Sequence, residues 1–93
     1  MSEKKRLRVV FSGSVQGVGM RATVRQLAEG FVVTGWVKNL QDRTVQMEAQ
    51  GTEGEVEGFL RAIESAMRAN IRNSQRNWVG ILEGEFNFSI EYR

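Results

Sequence analysis

The sequence predicts an α+β fold with two helices packed on one face of a four- to five-stranded antiparallel sheet. The main observation is the hydrophobic period, which runs two, 3.6, two, two, 3.6, two along the chain. That order, strand-helix-strand-strand-helix-strand, describes a split β-α-β arrangement. Length and composition agree: 93 residues with an apolar fraction of 41% suit one domain, residues 1–93, with a single core.

Leu7, Val9 and Phe11 alternate with Arg8, Val10 and Ser12, so residues 6–13 form a first strand buried on one face, preceded by a flexible tail over residues 1–5. Gly13 stops it. From Met20 the apolar residues recur every three or four positions, at Met20, Val24, Leu27, Ala28 and Phe31, which places a helix over about 20–30 ending at Gly30. Val32 to Leu40 is rich in β-branched and aromatic residues. After Gln41-Asp42-Arg43 a new alternation starts at Val45, Met47 and Ala49, and the two runs form a hairpin.

Thr52-Glu53-Gly54-Glu55 has the spacing of a capping box, and Val56, Phe59, Leu60, Ile63 and Met67 then form one apolar stripe, giving a second helix over about 53–69. The polar stretch Asn70 to Asn77 reads as a loop, Trp78 to Leu82 as a strand and Gly84 as a turn. Phe86, Phe88, Ile90 and Tyr92 alternate with Asn87, Ser89 and Glu91. They predict a last strand whose aromatic face joins the core.

Composition removes several kinds of chemistry. No cysteine means no disulfide, thiol nucleophile or thiolate metal site, and no histidine removes the commonest general base and metal ligand. The formal net charge is +2, carried largely by Lys4, Lys5, Arg6 and Arg8 at the start and by Arg68, Arg72 and Arg76, which read as solvated surface. No apolar run is long enough to span a membrane, and the polar start leads into a strand pattern instead of a signal peptide. A cytoplasmic monomer without a membrane partner is the expectation.

Between the first strand and the first helix lies Val15-Gln16-Gly17-Val18-Gly19-Met20-Arg21, and eighteen residues after its arginine comes Asn39, in Gly35-Trp36-Val37-Lys38-Asn39. Glycine at two positions lets the backbone approach a ligand closely, and the helix that follows offers unpaired N–H groups and the positive end of its dipole. Such a turn suits an anion such as phosphate. It is neither the Gly-x-Gly-x-x-Gly fingerprint nor a Walker loop, because no Gly-Lys-Ser/Thr follows. Taken alone, a tight strand-to-helix turn accounts for it equally well.

Both segments together, in their order and spacing and with Ala28 seven residues after the arginine, closely resemble the two signatures of the acylphosphatase family. The resemblance covers essentially the whole chain. It implies a ferredoxin-like β-α-β-β-α-β domain that hydrolyses the carboxyl-phosphate bond of acyl phosphates without metal or cofactor. It also implies that Arg21 binds the substrate phosphate, that Asn39 holds the attacking water, and that the backbone of Val15, Gln16, Gly17, Val18, Gly19 and Met20 cradles the phosphate. Three departures stand out. Val32 occupies a position where the family often has glycine, with Gly30 two residues earlier; Met20 replaces a commoner phenylalanine; and Arg68 to Arg76 stands where a Gly-Pro usually follows the second helix.

A chain without histidine is suited to that chemistry. The leaving group is a carboxylate whose conjugate acid has a pKa of about 4, so it departs unprotonated and needs no general acid. An ordinary monoester expels a far more basic alkoxide. Two other readings remain open: a related module that binds phosphate or carbamoyl phosphate with little turnover, and an RNA-binding sheet. The second lacks the aromatic-rich RNA signature, so no nucleic-acid partner is expected; the partner is a small acyl phosphate, with phosphate as product or inhibitor.

Overall fold

The computed structural model describes residues 3–92. Its elements are β1 (Lys4–Gly13), α1 (Met20–Ala28), β2 (Thr34–Asn39), β3 (Val45–Thr52), α2 (Glu53–Ala66), β4 (Ile71–Val79) and β5 (Phe88–Glu91). They build a five-stranded sheet in the order β4-β1-β3-β2-β5. The first four strands pair antiparallel. β5 pairs parallel to β2, so the sheet is mixed and not antiparallel throughout. The edge beside β1 is already taken by β4, and the chain must cross the sheet to reach the free edge of β2.

Alternation along β1 turns Leu7, Val9 and Phe11 toward the helices, where they are fully buried with Val37, Val45, Met47 and Ala49 of the neighbouring strands. α1 covers them with Met20, Val24 and Ala28, and α2 with Val56, Phe59, Leu60 and Ile63. Phe59 meets Phe88 edge to face at a centroid distance of 5.2 Å, which fastens β5 to the core.

Four expectations need correction. Lys4 and Lys5 are not tail: they continue β1 opposite Thr52 and Gly51, whereas Met1 and Ser2 lie outside the described residues. The stretch 70–77 is not a loop; all but its first residue belongs to β4, and the strand ends at Val79. β4 is an edge strand, exposed along most of its length, so its backbone pairs with β1 while its side chains carry no apolar alternation. The last strand is only Phe88–Glu91, and of the expected aromatic face Phe88 alone is buried, with Phe86 90% and Tyr92 77% exposed. Both helices also end early. α1 stops at Ala28 through amide bonds from Glu29, Gly30 and Phe31 back to Gln26, Leu27 and Ala28, without a left-handed glycine, and α2 stops at Ala66.

The capping box is half formed. Thr52 accepts from the Glu55 amide at 3.4 Å, but the Glu55 carboxylate accepts from the Val32 amide at 2.7 Å instead of closing on Thr52. The connection between α1 and β2 is thereby tied to α2, with the Val32 side chain left exposed.

On the face of the sheet away from the helices, Arg6 is 1% exposed and holds the β4–β5 connection down. Its guanidinium donates to Glu48 at 2.5 Å, to Gln50 at 3.1 Å, and to both Glu85 carboxylate oxygens at 2.8 and 3.1 Å. Gln50 adds a reciprocal pair with the backbone of Leu82, each bond 2.8 Å. These bonds fix residues 82–85 across the sheet, so the chain rejoins it only near Asn87, whose carbonyl accepts from the Gly35 amide.

Burial pushes the Glu48 and Glu85 carboxyls up, but hydrogen bonds and charge from arginine outweigh it and hold both below the ordinary carboxylate range. A depressed carboxylate contributes stability that is present above its unfolded-state pKa and lost as pH falls through the lower folded value. Unfolding free energy should therefore drop as pH is lowered past the ordinary carboxylate range. Arg6→Ala, which strands Glu85 and leaves Glu48 with Arg8 as its one remaining partner, should cost about 3–5 kcal/mol in urea titrations at neutral pH. A near-neutral Arg6→Ala would show that this cluster does not hold the connection.

Candidate functional site

One cleft of about 190 Å³ opens where α1 begins, between the 14–19 loop, the end of β2 and the end of β5. Val15 and Met20 are buried at 1% and 2% exposure and anchor the two ends of the loop in the core. Between them Gly17 and Gly19 take φ values of 76° and 77°, which side-chain-bearing residues rarely adopt. Gly19 is the N-cap of α1, and no side chain among the described residues caps that end of the helix.

The loop therefore presents donors without acceptors. Among the described residues, no protein group accepts a hydrogen bond from the amides of residues 15–22; the first amide of the helix that finds a partner is that of Thr23, on the Gly19 carbonyl at 3.0 Å. Such a run of N–H groups at the positive end of a helix dipole is an anion receptor.

Arg21 stands at the second helical position, lines the cleft and is half-buried. No acidic residue lies in the first turn, and among the described residues no carboxylate pairs with Arg21. Asn39, the last residue of β2, lines the cleft from the opposite side, and its carboxamide makes no hydrogen bond to another described residue.

The expected residues thus separate into two groups. Val15, Gly17, Gly19, Met20, Arg21 and Asn39 line one cleft. Gln16 and Val18 do not line it: Val18 is exposed, and the Gln16 carboxamide turns to the β2–β3 turn, donating to the carbonyls of Leu40 at 2.8 Å and Thr44 at 2.9 Å. Sequence reasoning assigned Gln16 a backbone role alone and missed this cross-link. It also missed Ile90 and Tyr92, which reach the cleft from β5. Among the described residues no cluster of three or more Asp, Glu, His or Cys is disposed to hold a metal ion.

The turn that Gln16 grips is itself well ordered. The Leu40 amide donates to Thr44 at 2.9 Å, Arg43 accepts φ 73°, and Asp42 accepts from both the amide and the hydroxyl of Thr44 at 3.1 and 2.6 Å. Those bonds hold the Asp42 carboxyl below its ordinary range.

Comparison with known proteins matches this chain to the acylphosphatase family model over residues 7–90. An acylphosphatase of Geobacillus kaustophilus is 49% identical over 89 residues, covering 95% of each chain. One from Geobacillus thermodenitrificans is 43% identical over the same length, again with 95% of each covered. Among solved structures, the Bacillus subtilis acylphosphatase superposes with a TM-score of 0.84 at 31% identity, over 95% of this chain and 99% of that one.

Gln16 joins two segments far apart in sequence, and its loss is measurable without any ligand. Gln16→Leu removes two neutral hydrogen bonds and should lower the unfolding free energy by about 1–2 kcal/mol. An unchanged urea midpoint would mean that the cross-link contributes nothing in solution.

Proposed function

The chain belongs to the acylphosphatase family, and we propose that it hydrolyses the carboxyl-phosphate bond of acyl phosphates to a carboxylate and inorganic phosphate. The observation that carries this reading is the cleft in which the amides of residues 15–22 and the Arg21 guanidinium have no acceptor among the described residues. A phosphoryl group supplies acceptors for both. The amides seat its oxygens, and the planar guanidinium forks against two of them.

Asn39 is neutral and cannot serve as a strong base, so its role in this reading is geometric. Its carboxamide orients a water in line with the bond to be broken. The water oxygen forms the new bond to phosphorus as the P–O bond to the acyl group breaks, and the electron pair leaves with the carboxylate. The water's proton passes to a phosphate oxygen and departs with the product. Phosphoryl transfer asks the protein mainly for position and charge stabilisation, which fixed donors supply. The good leaving group removes the need for an acid, in keeping with a chain that has no histidine.

No observation favours binding without turnover. Among the described residues no helix is long and apolar enough to cross a membrane. The reading takes the protein as a cytoplasmic monomer acting on a small molecule, without cofactor or nucleic-acid partner.

The test is hydrolysis of an aryl acyl phosphate in the presence of chelator. Arg21→Lys should lower kcat/KM by roughly 100-fold or more, the loss of about 3–4 kcal/mol typical of a removed oxyanion donor. Asn39→Ala should depress kcat far more than it raises KM. Parent-like turnover in either variant would refute its assigned role, and a parent inactive under these conditions would refute the function.

A further inference from the structure

Arg21 occupies a position that is unfavourable for a cation, at the positive end of α1, with no carboxylate partner among the described residues. What it has instead is an aromatic ring. The guanidinium carbon lies 5.0 Å from the centroid of Tyr92. Burial does not put the ring there, because Tyr92 is 77% exposed and follows the last residue of β5. Register does. The parallel ladder runs from Gly35 opposite Phe88 to Lys38 opposite Glu91, so the next step along both strands sets Tyr92 beside Asn39. Alternation places Tyr92 on the same face as Ile90, whose partner Val37 is fully buried beneath the helices. The ring therefore arrives on the side of the sheet where α1 begins, at the wall of the same cleft.

A ring offers a guanidinium its π surface and no acceptor oxygen, so it does not tie up the forked N–H donors as a bidentate carboxylate would. The contact restrains a long, flexible side chain while leaving its forked edge free for an anion, as a carboxylate partner would not. We propose that Tyr92 is a positioning residue for Arg21, holding the guanidinium with its donor edge turned to the amides of residues 15–22. This rests on the reading of the cleft as a phosphate site.

Inorganic phosphate is the probe, with its dissociation constant measured for the parent, Tyr92→Leu, Tyr92→Phe, Arg21→Ala and the Arg21→Ala/Tyr92→Leu pair. An exposed cation–π contact predicts that Tyr92→Leu weakens phosphate binding about 2- to 5-fold. Tyr92→Phe, which keeps the ring, should restore the affinity. With Arg21 already removed, Tyr92→Leu should change nothing further, a dependence that a general structural role would not produce. Equal affinity in the parent and Tyr92→Leu, or the same loss with and without Arg21, overturns the proposal. A parent that hydrolyses acyl phosphates and binds phosphate confines that failure to Tyr92, whereas a parent that binds no phosphate overturns the site reading and this proposal with it.

Discussion

Gln16 donates from one carboxamide to the carbonyls of Leu40 and Thr44, and the relative placement of the cleft's two walls depends on those bonds. The 14–19 loop belongs to the β1–α1 connection; Asn39 belongs to the end of β2, and the chain between them passes through α1. Each is held firmly to its own element. The sheet joins the ends of β1 and β2 through β3, with Asn39 opposite Val45 and Val45 opposite Phe11, and the cross-link ties the loop itself to the turn that follows Asn39. A site that positions water against a bound group tolerates little error in that distance.

Outside the cleft, the arginines of the described residues are either paired or solvated. Lys5, Arg6, Arg8, Arg25 and Arg76 each pair with a glutamate. Arg43, Arg61, Arg68 and Arg72 are exposed to water. Among the described residues Arg21 is the half-buried arginine with neither solution, and it sits beside amides that are likewise unpaired. A concentration of positive potential and free donors is costly in an empty protein and favourable once an anion enters. The core under both helices and the Arg6 cluster on the opposite face supply the rigidity that holds it open. That cluster has a second consequence, since by directing residues 82–85 across the sheet it sets where β5 starts and thus where Tyr92 arrives.

β1, α1, the hairpin and α2 were legible in the sequence because each buries one face and therefore shows its period. β4 was not, since an edge strand exposed on both faces is specified by backbone pairing and leaves no apolar alternation in Arg72, Asn73, Gln75 and Arg76. Phe86 and Tyr92 misled in the opposite direction: their spacing fits a buried strand face, but the connection fixed by Arg6 leaves Phe86 outside β5, and Tyr92 lies just beyond its last paired residue. Arg21 and Asn39 meet in one cleft, as the resemblance of their two motifs to those of the acylphosphatase family implies. The Gln16 side-chain bonds and the approach of Tyr92 were not legible in the sequence, because both depend on registers between segments far apart in the chain. A side chain that could donate to any nearby carbonyl gives no sequence signal of which one it chooses.

The central claim is that the amides of residues 15–22 and the guanidinium of Arg21 together form the phosphate receptor. A titration of the isotope-labelled protein with inorganic phosphate, followed through backbone amide and arginine side-chain resonances, tests it most directly. The account predicts that the largest shifts fall on residues 15–22 and on the Arg21 Nε resonance, and that they saturate together with a single dissociation constant. Unmoved resonances in that segment, with shifts instead scattered over the basic surface around Arg68 and Arg72, would contradict it.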